Sequence, residues 1–307
     1  MKLFLAGETP LAKDEGWSQN VDGWQVGALS RVMKRRLISY YYHGFHIGNR
    51  LSKEVSIAHE SGMDMFLDSG AYSAFTQDET ISIDRYADYI RRHGKIYSVK
   101  ANLDDIGDTG AKSWANLKAL ESLGCQVFPV FHYDDDLRYL KMMLDGGYRF
   151  IALGGLVGAS RNVLREWLDE MWGKYLTHSN GAPRLQVHGF GLTDFELMAR
   201  YPWFSIDSSS WVMSGIFGGC VFYEKGKLYK VTFSEESPDQ RYLEGWHYNR
   251  LPDIMKAVVD KFLQQHNVTA QQCATHYSFR HLVNAATYQS LESTGVNKFI
   301  RAQETLF

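Results

Sequence analysis

Eight short apolar runs are distributed along this 307-residue chain, and nearly every run ends at a residue that can take part in chemistry. Helical patterns separate most of the runs, so they are interpreted as parallel strands of successive β/α units. Eight such units predict an α/β fold, a (β/α)8 barrel of the TIM type, whose active site lies at the C-terminal ends of the strands. The runs are Leu3–Ala6, Leu37–Tyr42, Met63–Asp68, Ile96–Leu103, Gln126–Phe131, Arg149–Leu153, Leu185–Gly189 and Trp203–Asp207.

The segments between the runs carry helix signals. The apolar stripe Ile83, Tyr86, Tyr89 and Ile90 follows Ser82, which can cap a helix. Ser52 is expected to cap an earlier helix in the same way. The predicted helices span residues 24–36, 51–61, 82–93, 111–123, 135–144, 161–172, 193–200 and 253–266.

The repeat is interrupted after the eighth strand. Residues 220–233 predict a β-hairpin that turns at Lys225-Gly226. The residues from about 267 to 307 look helical and are expected to pack outside the barrel. The sequence therefore predicts one domain over residues 1–307, with a hairpin insertion at about 212–251 between strand eight and its helix, and a helical C-terminal extension at about 267–307.

Composition excludes some classes of protein. The net charge of −2 gives no general attraction to nucleic acid, and three widely spaced cysteines argue against a disulfide framework. No apolar run is long enough for a membrane span or a signal-peptide core, so a cytoplasmic protein with no membrane partner is expected. Two basic clusters, residues 31–36 and 91–95, are either local binding patches or solvated helix ends.

Two strands run directly into an Asp-Ser pair, at Asp68-Ser69 and at Asp207-Ser208. A carboxylate at a barrel mouth is partly desolvated, which suits it to proton transfer or nucleophilic attack. The alternative is that each aspartate only caps the following turn. Two such motifs at strand ends of one barrel favour the catalytic interpretation.

Other strand ends carry further candidate residues. Because adjacent side chains on a strand point to opposite faces, only one of Asp104 and Asp105 is expected to face the site. The Gly154-Gly155 pair either lets a flat ligand approach the backbone or forms a tight turn. His188 is interpreted as a core hydrogen-bonding group or as a site residue beside Asp207.

The order of these motifs resembles the tRNA-guanine transglycosylase superfamily, and most of all its DNA-modifying branch, the 7-deazaguanine DNA transglycosylases of phages and bacteria. The resemblance covers roughly residues 65–211. It is carried by Leu67-Asp68-Ser69-Gly70, Leu103-Asp104-Asp105, Leu153-Gly154-Gly155-Leu156, Val187-His188-Gly189-Phe190-Gly191 and Phe204-Ser205-Ile206-Asp207-Ser208.

The resemblance implies roles for these residues. Asp207 would attack C1′ of a guanosine and form a covalent glycosyl-enzyme, and Asp68 would be the general acid and base. Asp104 or Asp105, with Gly154 and Gly155, would hold the heterocycle, and His132 stands where the family has a glutamine. His188 completes the set of expected base-site residues.

The implied reaction replaces guanine in DNA with a 7-deazaguanine such as preQ0. The family's Cys-x-Cys-x-x-Cys motif is absent, so neither a structural zinc nor a cofactor is expected, although Cys273 and His276 have a weak metal-ligand spacing. The alternatives are exchange on tRNA, a non-catalytic nucleic-acid-binding member, and an unrelated barrel enzyme acting on a small molecule. Whether a partner protein must open the DNA duplex stays open.

Overall fold

The computed structural model describes residues 1–7, 28–107, 109–156, 158–192, 194–234, 236–237 and 246–293. The strands are β1 Lys2–Leu5, β2 Arg35–Ser39, β3 Asp64–Asp68, β4 Val99–Lys100, β5 Val130–His132, β6 Phe150–Gly154, β7 Gln186–Gly189, β8 Ser205–Ser208, β9 Gly219–Glu224 and β10 Lys227–Thr232. The α-helices are α1 Ala28–Val32, α2 Tyr40–His43, α3 Lys53–Glu60, α4 Ala71–Thr76, α5 Ile83–His93, α6 Ala111–Ser122, α7 Leu137–Asp145, α8 Arg161–Glu170, α9 Phe195–Arg200, α10 Ser210–Ile216, α11 Asp253–Gln264, α12 Ala270–Thr275 and α13 Tyr277–Ser290.

The described residues fall into two compact units. The first contains the described residues within 1–6 and 35–208, and the second contains those within 7–34 and 209–293. The first unit is a parallel eight-stranded sheet with the order β4-β3-β2-β1-β8-β7-β6-β5. The sheet curls, and the described residues include no strand ladder between its edges β4 and β5. A single parallel bridge, Ala101 with Phe128, joins the segments next to these edges.

One face of this sheet encloses a small apolar core. Phe4, Leu37, Phe66, Val130 and Ala152 come from five different strands and pack in one buried cluster. Phe66 meets the rings of Phe4 and Phe128 edge-on, at 5.3 Å between centroids in each pair. Because side chains alternate along a strand, the polar residues two positions further on point to the same side, at the C-terminal end of the sheet.

The second unit is organised around helix α13. Asn284 accepts a hydrogen bond from the Val221 backbone N–H at 2.7 Å and donates to the carbonyls of Trp211 and Gly219. One buried amide thus fastens α10 and the β9–β10 hairpin to α13. The hairpin turns at Lys225 and Gly226, both of which have positive φ, as a tight two-residue turn requires.

The prediction of an α/β fold with eight parallel strands and a separate hairpin is confirmed, whereas a closed barrel is not. The Ser52 and Ser82 hydroxyls accept hydrogen bonds from Val55 N and Arg85 N, which confirms both predicted caps. Of the predicted helix 24–36, residues 28–32 form α1 and residues 24–27 lie outside the described residues, whereas the prediction is wrong for residues 35–36, which begin strand β2. The part of the predicted C-terminal extension beyond residue 293 also lies outside them.

Several boundaries differ from the predictions; strand β4, for example, is only Val99–Lys100 within the predicted run Ile96–Leu103. The second strand ends at Ser39, because the Tyr40 ring packs between Tyr86 and Tyr89 and the chain turns into α2. Helix α4 follows β3 after Gly70, whose φ of 76° allows the abrupt turn. Helix α10 follows β8 directly, so the hairpin comes after a helix and not directly after strand eight.

Candidate active site

The candidate site lies in the first unit, where several strands end in polar residues on the core side of the sheet. Strand register shows which residues share that side: Asp207 pairs with Phe4, Ser39 pairs with Asp68, and His132 pairs with Gly154. Phe4 belongs to the apolar core, so Asp207 points to the same side of the sheet.

Asp207 is held by two N–H donors. Its Oδ1 accepts a hydrogen bond from the Gly191 backbone N–H at 2.9 Å and lies 3.2 Å from Nε2 of His188. The residue is only 5% exposed. Both contacts fall on Oδ1, and together they fix the plane of the carboxylate.

His188 lies beneath Asp207 and is completely buried. Its Nδ1 is 2.9 Å from the Ser205 hydroxyl, and its ring packs 4.4 Å from Phe66 and 4.7 Å from Phe190 between centroids. Burial lowers the pKa of His188, although Asp207 opposes this effect. The neutral ring therefore donates from Nε2 to Asp207 and accepts from Ser205 at Nδ1. Both ring nitrogens are occupied within the protein, so His188 is placed to orient Asp207.

Asp68 has a different environment. Its Oδ2 accepts a hydrogen bond from the Gly70 backbone N–H at 3.0 Å, and the residue is mostly buried. Burial, followed by the charges of Asp104 and Asp207, raises the pKa of Asp68 to about 8, and the backbone N–H groups offset only part of this. Asp68 is therefore largely protonated at neutral pH and can donate a proton.

Asp104 and His132 form a charged pair. Nε2 of His132 lies 2.8 Å from Asp104 Oδ2, and the Ser69 hydroxyl donates to Asp104 Oδ1 at 3.0 Å. Asp135 accepts a hydrogen bond from the His132 backbone N–H at 2.8 Å, and Nδ1 of the His132 ring lies 3.4 Å from the Asp135 carboxylate. Burial alone would lower the pKa of His132, but its contacts with Asp104 and Asp135 outweigh burial and raise it to about 10. His132 is thus an imidazolium that holds Asp104 in place.

Local structure explains why glycines stand at Gly154, the last residue of β6, and at Gly155, directly after it. A Cβ on Gly154 would lie 2.5 Å from Cδ2 of His132, so only glycine leaves room for that ring. Gly155 has a φ of 71°, and a Cβ there would also lie 3.0 Å from the Tyr133 backbone nitrogen. Both glycines are therefore required by the turn and by His132, whatever they contribute to a ligand.

Of the two adjacent aspartates, it is Asp104 that contacts other site residues. Asp105 is ion-paired with Lys112 at 2.5 Å, and its backbone N–H donates to the Ser113 hydroxyl. The sequence left open which of the pair faces the site. The backbone turn after β4 decides it, because this turn directs Asp104 towards β5 and Asp105 towards α6.

Within the first unit, the residues of the basic clusters lie away from this end of the sheet. Arg35 is at the N-terminal end of β2, where its Nε is 3.3 Å from Asp64, and Arg36 is 1% exposed. Arg91 and Arg92 are in the last turn of α5, the position that the helix dipole favours for cations. The interpretation as a solvated helix end is therefore confirmed for Arg91 and Arg92, whereas it is wrong for Arg35 and Arg36, which lie in strand β2.

The described residues provide neither a metal centre nor a membrane-spanning helix. No cluster of three or more His, Cys, Asp or Glu with the geometry to hold a metal occurs in the described part of the chain. Cys273 is buried with its Sγ 3.7 Å from that of Cys220, and His276 contacts Ser278. Among the described residues, no helix combines the length and the apolar character needed to cross a bilayer.

Four residues of this arrangement were not singled out from the sequence: Ser69, Asp135, Ser205 and the Gly191 N–H. Ser69 and Gly191 lie inside the recognised motifs, whereas Asp135 is one of three consecutive aspartates and carries no distinguishing signal. Together the site offers an oriented carboxylate, a protonated carboxyl group and a clamped acceptor, which is a combination suited to displacement at a glycosidic carbon. Comparison of the chain with protein-family models and with curated proteins found no match to either.

Proposed function

We propose that this protein is a base-exchanging glycosyltransferase that replaces guanine in a nucleic acid with a 7-deazaguanine. DNA is the proposed substrate, in preference to tRNA. The observation that carries the proposal is the contrast between Asp68 and Asp207 at one end of the same sheet. Asp207 is oriented by Gly191 and His188, whereas burial and neighbouring carboxylates raise the pKa of Asp68 to about 8. We also propose that the curled sheet forms a barrel of the TIM type.

In the first half-reaction, an oxygen of Asp207 attacks C1′ of the target nucleotide. A C1′–O bond forms as the C1′–N9 bond breaks, and the bonding electron pair leaves with the guanine. Protonated Asp68 gives its proton to the departing base, so the base leaves neutral and Asp68 becomes a carboxylate. The product is a glycosyl ester on Asp207 with inverted configuration at C1′.

In the second half-reaction, the Asp68 carboxylate takes the proton from the nitrogen of the incoming base. That nitrogen attacks C1′, the ester C1′–O bond breaks, and Asp207 regains its carboxylate. Two inversions retain the original configuration, and Asp68 finishes protonated and ready for another cycle. One group can serve as acid and then as base because its pKa lies close to neutral pH.

Asp104 is the proposed acceptor for the N–H groups of the heterocycle. Ser69 and His132 occupy one position on each of its oxygens, and a carboxylate oxygen can accept a second hydrogen bond. Gly154 leaves room for the His132 ring, and the Gly154 carbonyl accepts a hydrogen bond from the Tyr133 N–H at 3.2 Å. The donor edge of guanine or a 7-deazaguanine matches such an acceptor, which agrees with the resemblance of the motifs.

One observation favours a second candidate, the same chemistry on a free nucleoside. The basic residues at the starts of α6, α7 and α8 are each paired with acidic ones: Lys112 with Asp105, Arg138 with Asp136, and Arg161 with Asp194 and Glu196. These pairs leave little positive charge for a phosphate backbone at that part of the rim. A small uncharged substrate does not need it.

The test supplies single-stranded DNA, duplex DNA, tRNA and guanosine, each with labelled guanine, together with 7-deazaguanine. Released guanine is measured for the parent protein, for Asp207→Asn and for Asp136→Asn, a control that caps α7 outside the site. We expect the parent and Asp136→Asn to release guanine from DNA, and we expect no such release from Asp207→Asn. Release from guanosine alone would select the second candidate, and release that survives Asp207→Asn would refute the proposed nucleophile.

A further inference from the structure

A cavity of about 460 Å³ lies beside the candidate site, between α4 and the start of α6. We call it the α4–α6 cavity. Its walls include the apolar side chains Phe75, Ile81 and Leu103, and Asp104 is also part of its lining. Asp104 is the residue that His132 and Ser69 hold in the candidate site, so the cavity and the site share one carboxylate.

The charges around the cavity restrict what it can bind. Asp78, Glu79 and Asp105 line it together with Asp104, and Lys112 is the one basic residue among the described lining residues, where it is ion-paired with Asp105. Carboxylates accept hydrogen bonds from N–H groups and repel phosphates and other anions. The ligand that suits this lining is therefore uncharged or cationic and carries N–H donors.

The apolar wall indicates a flat ligand. Ile81 and Leu103 are buried, whereas the Phe75 ring is 60% exposed at the cavity. An aromatic side chain exposed beside a concave surface gains from being covered by another ring, and the volume is in the range of sites for small molecules. A purine-like heterocycle combines a flat apolar face with N–H donors at its edge.

We propose that the α4–α6 cavity is a second binding site for an uncharged, N–H-bearing heterocycle, next to the site of base exchange. The inference rests on the proposed function, in which two bases occupy the same position at Asp104 one after the other. A cavity that shares Asp104 can bind one base while the other base reacts. The cavity thereby holds the incoming base close to the glycosyl ester.

The experiment measures binding and does not depend on turnover. Calorimetric titration of the full chain with 7-deazaguanine is compared for the parent, Thr80→Trp and Gln77→Trp. Thr80 lines the cavity and Gln77 does not, and both side chains are exposed at the end of α4, so both variants should fold. We expect Thr80→Trp to weaken one binding event at least about tenfold, equivalent to about 1.4 kcal/mol, and Gln77→Trp to leave it unchanged.

A second titration tests the charge argument with guanosine 5′-monophosphate, which we expect not to compete for the event that Thr80→Trp removes. Equal binding of 7-deazaguanine to both tryptophan variants, an absence of binding, or equal competition by the monophosphate would each overturn the inference. Guanine release is assayed separately, so a protein that binds through the cavity but does not exchange bases would refute the proposed function alone.

Discussion

An Asp-Ser pair stands at the C-terminal end of both β3 and β8, yet the two aspartates have different surroundings. Oδ1 of Asp207 lies within hydrogen-bonding distance of Gly191 N–H and His188 Nε2, above a core of aromatic rings. Asp68 accepts from Gly70 and lies near two other carboxylates, which with burial raise its pKa to about 8. The same dipeptide therefore carries an oriented carboxylate at one strand end and a carboxyl group with a raised pKa at another.

The difference comes from neighbouring strands and not from the aspartates themselves. On the β7–β8 side, a neutral histidine supplies a donor. On the β3–β5 side, a protonated histidine is held between Asp104 and Asp135, so its charge is compensated by these two carboxylates. The assignment of roles depends on this division, which four changes can test.

The largest expected effect is that of Asp207→Asn. The amide oxygen can keep the contacts with Gly191 and His188, so folding should be preserved, but an amide does not attack C1′. We expect base exchange to fall by at least about 10⁴-fold and the covalent adduct to be absent. Trapping of protein–nucleic acid adducts on denaturing gels measures this. An adduct that persists in Asp207→Asn and is lost in Asp68→Asn would mean that the two roles are reversed.

Asp68→Asn should slow exchange by about 10²–10⁴-fold, because proton transfer is lost while the nucleophile remains. In the parent protein, the first half-reaction needs protonated Asp68, so its rate should fall as the pH rises through about 8. The variant should lack this alkaline decline. A pH–rate profile of single-turnover guanine release tests the assignment, and an unchanged decline in the variant would exclude Asp68 as its source.

The stability of the same variant gives a readout that needs no substrate. Since the pKa of Asp68 is raised on folding from 3.8 to about 8, the folded state holds this proton more tightly than the unfolded state. The contribution of this group to stability is complete below about pH 4 and is lost as the pH rises through about 8. Asp68→Asn should therefore gain stability over the parent between pH 4 and pH 9, as measured by urea unfolding. A constant difference would show that Asp68 is not perturbed.

His188→Phe tests the other side of the comparison. Phenylalanine keeps the packing against Phe66 and Phe190 but removes the donor to Asp207 and leaves Ser205 without its partner. We expect kcat to fall about 10–100-fold, which corresponds to a hydrogen bond to a charged group worth about 1.5–3 kcal/mol. KM for the incoming base should change little, and His188→Gln should restore part of the rate. A change confined to KM would instead place His188 in contact with the base.

The smallest expected effect is that of Gly154→Ala. The new Cβ would lie 2.5 Å from Cδ2 of His132, so the ring must move away from Asp104. We expect a loss of about 1–3 kcal/mol in the free energy of unfolding, the usual cost of overpacking. NMR titration should show the pKa of His132 falling from about 10. Gly173→Ala, which has no neighbouring atom within 4 Å of its Cβ, is the matched control.

The sequence by itself determined the eight parallel strands, most of the helices, the Ser52 and Ser82 caps and the hairpin turn. These features follow from local periodicity and from residue types whose conformational preferences act over a few positions. It also identified Asp68 and Asp207 as candidate residues, because a polar side chain directly after a buried strand lies at the end of the sheet.

Only the tertiary structure decided which atoms meet. It selected Asp104 over Asp105, joined His132 to Asp135 as well as to Asp104, and placed His188 under Asp207. It also showed that Gly154 leaves room for the His132 ring on the neighbouring strand. Hydrogen bonds between strands and the pKa of a buried carboxyl group depend on distances between residues far apart in the chain, and no local pattern encodes those distances.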